Sequence, residues 1–274
     1  MSKFASFAEY PSRSLVGAEA ALLTAWSCLH CYHGELALVG GLAVNYLTKP
    51  GTGLLPGPVT MDVDFGVSLA AEGGQYGTIA DELTGQGFRR DPHGRYVRQF
   101  ETMPVFIDFL TEHPKAAKGT THVDGVEAGL FPGVERALAM RRIISVTGKD
   151  LFGAPQRADV PVAEVGPLVV LKLNAFDGRQ QPKDAYDTLL LVSRYLDGPE
   201  AAVAAFRAEG RAGNRGYASA AAALRQHFTE AEQSGPRRGA AFVLGDLPLG
   251  PETRERERRI IEQIVTIGRA LLGE

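Results

Sequence analysis

Along the first half of the chain the spacing of hydrophobic positions switches between two periods, and each switch marks a new element. "ELALVGG" is a short unbroken apolar run that stops at a glycine pair, which predicts a buried strand. "LAVNYLT", directly after it, has helical spacing. Upstream, Gly17 to His33 reads as an amphipathic helix with Leu22, Leu23, Trp26 and Leu29 as its apolar stripe. A Pro/Gly-rich loop from Lys49 to Pro58 leads into "TMDVDFGV", where apolar and polar positions alternate as in a strand. "YGTIADELTGQGF" predicts a helix closed by glycine, and "RYVRQF" and "PVFIDFL" predict successive strands. Residues 111–133 read as irregular; "VERALAMRR" then predicts a short helix, and "IISVT" and "DVPVAEV" two more strands.

After Gly166 the texture changes. "PLVVLKLNAFDG", "PKDAYDTLLLVSRYL", "EAAVAAFRAE", "ASAAAALRQHFTEAEQ" and "RERERRIIEQIVTIGRALL" all predict helices. Runs of strands followed by runs of helices give an α+β fold, with a small mixed-sheet domain over residues 1–165 and an all-helical domain over residues 166–274.

The chemistry starts with the carboxylates in "TMDVDFGV". Strand side chains alternate, so Thr60, Asp62 and Asp64 share one face while Met61, Val63 and Phe65 share the other. The two carboxylates then stand about 6.5 to 7 Å apart along the strand. That spacing serves one divalent ion, or a pair of ions roughly 3.5–4 Å apart. In "PVFIDFL", Phe106, Asp108 and Leu110 face one way, so Asp108 completes an acidic triad if the two strands are neighbours. Hard oxygen ligands suit magnesium, or manganese in its place. Taken alone, a D-x-D is more often a solvated strand end.

Two further stretches bear on the same chemistry. Gly40 and Gly41 stop a strand where a helix begins, which lets the backbone approach a ligand and turns free amides toward an anion. In "LKLNAFDGRQQPKDAYDTLLL", Lys172 lies among Val169, Val170, Leu171 and Leu173, a setting that a solvated lysine does not need. Arg179, seven residues on, shares its face. The next helix opens at Pro182, and Asp184 and Asp187 in its first turns are, one by one, ordinary helix-start residues.

Together, "LVGGLAVNYL", "TMDVDFGV", "FIDFL" and "LVVLKLNAFDGRQQPKDAYDTLLLV" resemble the AbiEii-like nucleotidyltransferases, toxins of abortive-infection and type IV toxin–antitoxin systems within the polymerase-β-like superfamily. The resemblance spans roughly residues 36–192. It implies that Gly40 and Gly41 cradle a nucleoside triphosphate and that Asp62, Asp64 and Asp108 hold magnesium. Asp108 is either a metal ligand or the polariser of the attacking hydroxyl. It also implies that Lys172 contacts the nucleotide phosphates and acts in catalysis, as does Asp184. Thr60, Arg179, Lys183 and Asp187 are expected around the nucleotide. Two positions depart from the pattern: the turn has Gly40-Gly41 where many relatives have Gly-Ser, and "LPGPVT" carries no arginine ahead of the D-x-D. The function implied is transfer of a nucleotidyl group to RNA, with tRNA ends as acceptors and a cognate antitoxin as partner. Two alternatives stay open, a small-molecule nucleotidyltransferase of the antibiotic-modifying kind and a non-catalytic nucleotide- or partner-binding module.

Bulk composition narrows this only a little. A net charge of −3 gives no global attraction to nucleic acid, so RNA contacts would fall to local clusters such as Arg89, Arg90, Arg95 and Arg98, or Arg136, Arg141 and Arg142. No apolar run approaches the roughly 18 residues of a membrane helix, and no leader pattern opens the chain. A cytoplasmic protein with no membrane partner is the expectation. Cys28 and Cys31, with His30 and His33 beside them, invite a zinc reading, but consecutive residues on one helix cannot turn four ligands to one ion.

Overall fold

In "DVDFGV" and "MPVFIDFLT" buried positions alternate with half-buried ones, and these segments are adjacent strands at the heart of one sheet. The computed structural model describes residues 4–51, 54–71, 77–245, 247–248 and 250–274. The architecture is α+β, as the pattern of elements predicts. The chain divides into two units, one formed by Pro11–Tyr46 with Val59–Glu164, the other by Met1–Tyr10, Leu47–Pro58 and Val165–Glu274.

The first unit carries the sheet. Its strands are β1 (Leu36–Val39), β2 (Asp62–Val67), β3 (Arg89–Arg90), β4 (Tyr96–Phe100), β5 (Met103–Thr111), β6 (Thr120–Val123), β7 (Val126–Leu130), β8 (Arg141–Lys149) and β9 (Pro155–Ala163). They run in the order β3-β4-β5-β2-β1-β9-β8, with the β6–β7 hairpin joined to β5 through β7. β2 and β5 are parallel, as are β1 and β9, while β1 and β2 are antiparallel, so the sheet is mixed. The helices of this unit are α1 (Ser14–Cys28), α2 (Gly40–Leu47), α3 (Ile79–Gly85) and α4 (Val134–Ala139). Thr78 and Asp81 close a capping box on α3; Tyr76, where the sequence pattern begins that helix, lies outside the described residues.

Two expectations change here. Residues 111–133 are not irregular throughout, because they contain the β6–β7 hairpin. Its turn is Asp124-Gly125 with φ of 45° and 83°, a pair suited to a two-residue hairpin loop. Nor is α1 amphipathic: it ends at Cys28, short of His33, and all but four of its fifteen residues are buried. It packs against β2, β5, β8 and β9 at once. The long β8–β9 hairpin covers its outer side, where the Leu151 amide donates to Thr24 Oγ1 at 2.9 Å. The hairpin tip reaches β4, and the Arg98 guanidinium lies 4.2 Å over the Phe152 ring. A helix covered over most of its surface, with only Val16 and Ser27 exposed, needs apolar residues on more than one face. Cys28 and Cys31 are free thiols, one buried and one exposed.

The second unit is helical: α5 (Val165–Arg179), α6 (Pro182–Ser193), α7 (Pro199–Glu209), α8 (Tyr217–His227), α9 (Ser234–Leu244) and α10 (Pro251–Leu272). The sequence reading runs α8 on to Gln233 and omits α9. The "SGPRRG" that opens α9 looks like a breaker, yet proline in a first turn forgoes only an amide with no helical partner. This unit also takes in residues 47–58, which a single cut near residue 165 leaves with the sheet. Carbonyls of the loop accept from this unit. Arg194 Nη2 donates to Leu55 O at 2.7 Å, Arg256 Nη2 to Leu54 O at 2.8 Å, and the Tyr186 hydroxyl to Pro56 O. No described helix is long and apolar enough to cross a membrane.

Candidate active site

Parallel pairing of β2 with β5 sets Asp64 directly opposite Asp108 and Asp62 opposite Phe106. Val63, Phe65, Ile107 and Phe109 are buried on the other face, so three carboxylates stand together on this one. Like charges at that range repel, and the protein answers with an arginine. Arg95 immediately precedes β4, and the antiparallel β4–β5 register brings it across from Asp108. Its Nε donates to Asp108 Oδ1 at 2.8 Å and to Oδ2 at 3.1 Å, and its Nη2 to Asp62 Oδ1 at 2.7 Å. The guanidinium lies 4.1 Å over the Phe106 ring. The Asp64 carboxylate takes no part in the Arg95 bridge.

The electrostatics follow from this geometry. Burial pushes the Asp108 carboxyl up to about 6, and the charges of Asp64 and Asp62 push the same way, while Arg95 pulls it back. Burial works to lower the Arg95 pKa, but the charges of Asp108 and Asp62 outweigh it and hold the guanidinium firmly protonated.

The glycine turn adjoins these carboxylates. Val39, the last residue of β1, pairs with Asp64, and α2 starts at the next residue. Gly40 makes that turn with φ of +70°, and a Cβ built there would fall 1.8 Å from Asp64 Oδ2. The space over the glycine is therefore taken by the Asp64 carboxylate. Thr60 differs from its expected role. It precedes β2 instead of sharing a strand face with Asp62, and its Oγ1 accepts from the Asp62 amide at 3.1 Å. Its hydroxyl thus shapes the entry to the strand.

The remaining predicted residues gather in the helical unit. Lys172 on α5 and Lys183 on α6 both donate to Asp187 Oδ2 at 2.6 Å, and all three are buried. Arg179 makes a bidentate contact with buried Asp184, at 2.6 and 2.7 Å. Lys172 Nζ also lies 3.7 Å from Asp184 Oδ1. Asp184 and Asp187, ordinary when taken singly, thus form one ionic cluster with Lys172, Arg179 and Lys183. Lys172 and Lys183 are buried in this cluster, while the Arg179 side chain at its edge is 43% exposed. Asp187 Oδ1 is buried without a hydrogen-bond partner.

No family model matches the sequence, and no curated protein matches it. The assignment of these clusters therefore rests on their own chemistry and on the motif resemblance.

For a divalent cation the donors are of the right kind, oxygen ligands on neighbouring strands. Asp62 and Asp108, however, are spanned by Arg95, and no group of three or more His, Cys, Asp or Glu among the described residues is placed to hold a metal ion as the side chains stand. The donor set fits such an ion only with Arg95 withdrawn.

Arg95, expected with Arg89, Arg90 and Arg98 in a cluster for RNA phosphates, is bound to Asp108 and Asp62 instead. Had the Glu101-Thr102 turn been located, the register that pairs Phe100 with Met103 would have carried Arg95 to Asp108.

Proposed function

We propose that the chain is a nucleotidyltransferase that moves a nucleotidyl group from a nucleoside triphosphate to an acceptor hydroxyl. The observation that carries this reading is the D-x-D of β2 set beside Asp108 of β5, on one face, next to the strand-to-helix glycine turn. Asp62 and Asp64 would hold a magnesium or manganese ion, with Asp108 available as a third ligand. Such an ion, when bound, neutralises phosphate charge and polarises the reacting phosphoryl oxygens. Where Asp108 does not serve as a ligand, it would be the carboxylate beside the ion that polarises the acceptor hydroxyl. RNA as acceptor, and a toxin role opposed by an antitoxin, follow from the motif resemblance alone.

The Arg95 bridge favours a second reading, a nucleotide- or partner-binding module without catalysis, because it occupies two of the three carboxylates. One experiment separates the two. The purified protein is given magnesium and each labelled triphosphate in turn, with total cellular RNA or a small-molecule extract as acceptor. Asp64→Asn, the carboxylate that Arg95 does not engage, is the control. Label in RNA that is lost in Asp64→Asn supports the first reading, and label confined to the extract makes the acceptor small. Triphosphate binding with no transfer to either pool supports the module.

A further inference from the structure

We propose that Arg95 is the resident cation of the carboxylate triad and competes directly with a divalent ion for it, so that metal takes up all three carboxylates only by displacing the guanidinium. This rests on the reading of Asp62, Asp64 and Asp108 as ligands.

Three observations combine. The guanidinium spans two of the carboxylates with three hydrogen bonds between 2.7 and 3.1 Å. Its face is backed by the Phe106 ring, which leaves it little exposed to water. Its backbone is anchored as well, since Asp91 Oδ1 accepts from the Arg95 amide at 3.0 Å and the Arg95 carbonyl accepts from the Asp91 amide at 2.8 Å. These bonds order the loop that carries Arg95, so rotation of its side chain is the shortest way for the guanidinium to leave.

Arg95 holds both Asp108 oxygens and Oδ1 of Asp62, and a small hard cation cannot share those three oxygens with it. Magnesium draws carboxylate oxygens to about 2.0–2.1 Å in near-octahedral geometry, which leaves no room for a donor at hydrogen-bond distance between them. The two states also differ in charge. Three carboxylates and Arg95 sum to −2, whereas the same carboxylates with a divalent ion and Arg95 swung clear sum to −1. The ion is favoured by charge and the arginine by being covalently present, so the apparent affinity of the site is the intrinsic affinity reduced by the fraction of time Arg95 is away.

The test titrates Mn2+ alone, without nucleotide, into the wild-type chain and into Arg95→Met, which keeps the apolar stem against Phe106. Bound metal is read by calorimetry and by the electron paramagnetic resonance signal of free Mn2+. The expected result is a Kd at least about tenfold lower for Arg95→Met. Equal affinities in the two proteins would overturn the competition and leave the metal site, and with it the proposed function, standing. No binding to either protein, both folded by circular dichroism, would overturn the metal site together with the competition. Should Arg95→Met fold poorly, the wild-type chain still decides. The hydrogen-bonded Arg95 Nε–H resonance must weaken as Mg2+ is added, and its persistence at saturating Mg2+ would refute the displacement.

Discussion

Gly40→Ala is the sharpest test of how the candidate site is assembled. An alanine there meets two penalties. Its φ of +70° lies in the left-handed region, which costs a residue with a Cβ roughly 1–2 kcal/mol. The new methyl would also fall 1.8 Å from Asp64 Oδ2, 2.5 Å from its Cγ and 2.7 Å from its Cβ. Because Asp64 Cβ is fixed to the strand, rotating the carboxylate away relieves only part of the clash, and forced overpacking costs roughly 1–3 kcal/mol. The sum is about 2–5 kcal/mol. For a unit of this size that lowers Tm by about 8–20 °C. Thermal melts followed by circular dichroism measure it, with Gly34→Ala as control. Gly34 has no atom within 4 Å of a built Cβ and no positive φ, so its change stays within about 0.5 kcal/mol. Asp64→Gly in the same chain removes the side chain the methyl meets. Gly40→Ala on that background should then cost only its backbone part, a coupling of about 1–3 kcal/mol. A Gly40→Ala protein as stable as wild type, or a coupling of zero, would refute the close approach of the turn to Asp64.

Lys172→Met removes one of two ammonium groups from a buried carboxylate, and breaking a buried pair costs up to roughly 3–5 kcal/mol, less here because Lys183 remains on Asp187. Urea unfolding reads the loss, and an unchanged midpoint would mean that the ammonium is not held on Asp187. His33 offers a pH prediction. Its ring stacks on Trp26 at 3.8 Å, its Nε2–H donates to the Trp26 carbonyl, and burial holds its pKa below the usual 6.5 despite that bond. The unfolded chain then takes up its proton first, so stability is full above about pH 6.5 and falls as pH drops from there through the folded pKa. Trp26 is the single tryptophan, so its fluorescence should be quenched with a midpoint below 6.5 in wild type and stay flat in His33→Gln. A midpoint above 6.5 would contradict the burial.

What was legible in the sequence is what periodicity encodes. Alternation in "TMDVDFGV" and "PVFIDFL" placed Asp62, Asp64 and Asp108 on matching faces, because a period of two leaves a strand residue no other choice. What escaped depends on register and turns. Arg95 finds its carboxylates only through a hairpin whose turn, Glu101-Thr102, has no glycine or asparagine to announce it. Asp124-Gly125 did announce its hairpin, in a stretch whose flanking residues alternate too weakly to read as strands. The Lys172 cluster was half legible, since helical spacing put Lys172 and Arg179 on one face but could not show that Asp184 and Asp187 would meet them from the next helix.

The hairpin over α1 imposes an order of events on folding. The Thr24–Leu151 hydrogen bond joins residues 127 positions apart, so α1 leaves the ribosome long before the strands that will cover it exist. At synthesis rates of about 5–20 residues per second the helix waits several seconds with most of its apolar surface uncovered. Contacts of such long sequence separation also slow the search for the native state, because the entropy of closing the loop is lost before the contact is gained. Nascent chains stalled short of residue 155 should therefore be the species that chaperones hold and that aggregates when they do not.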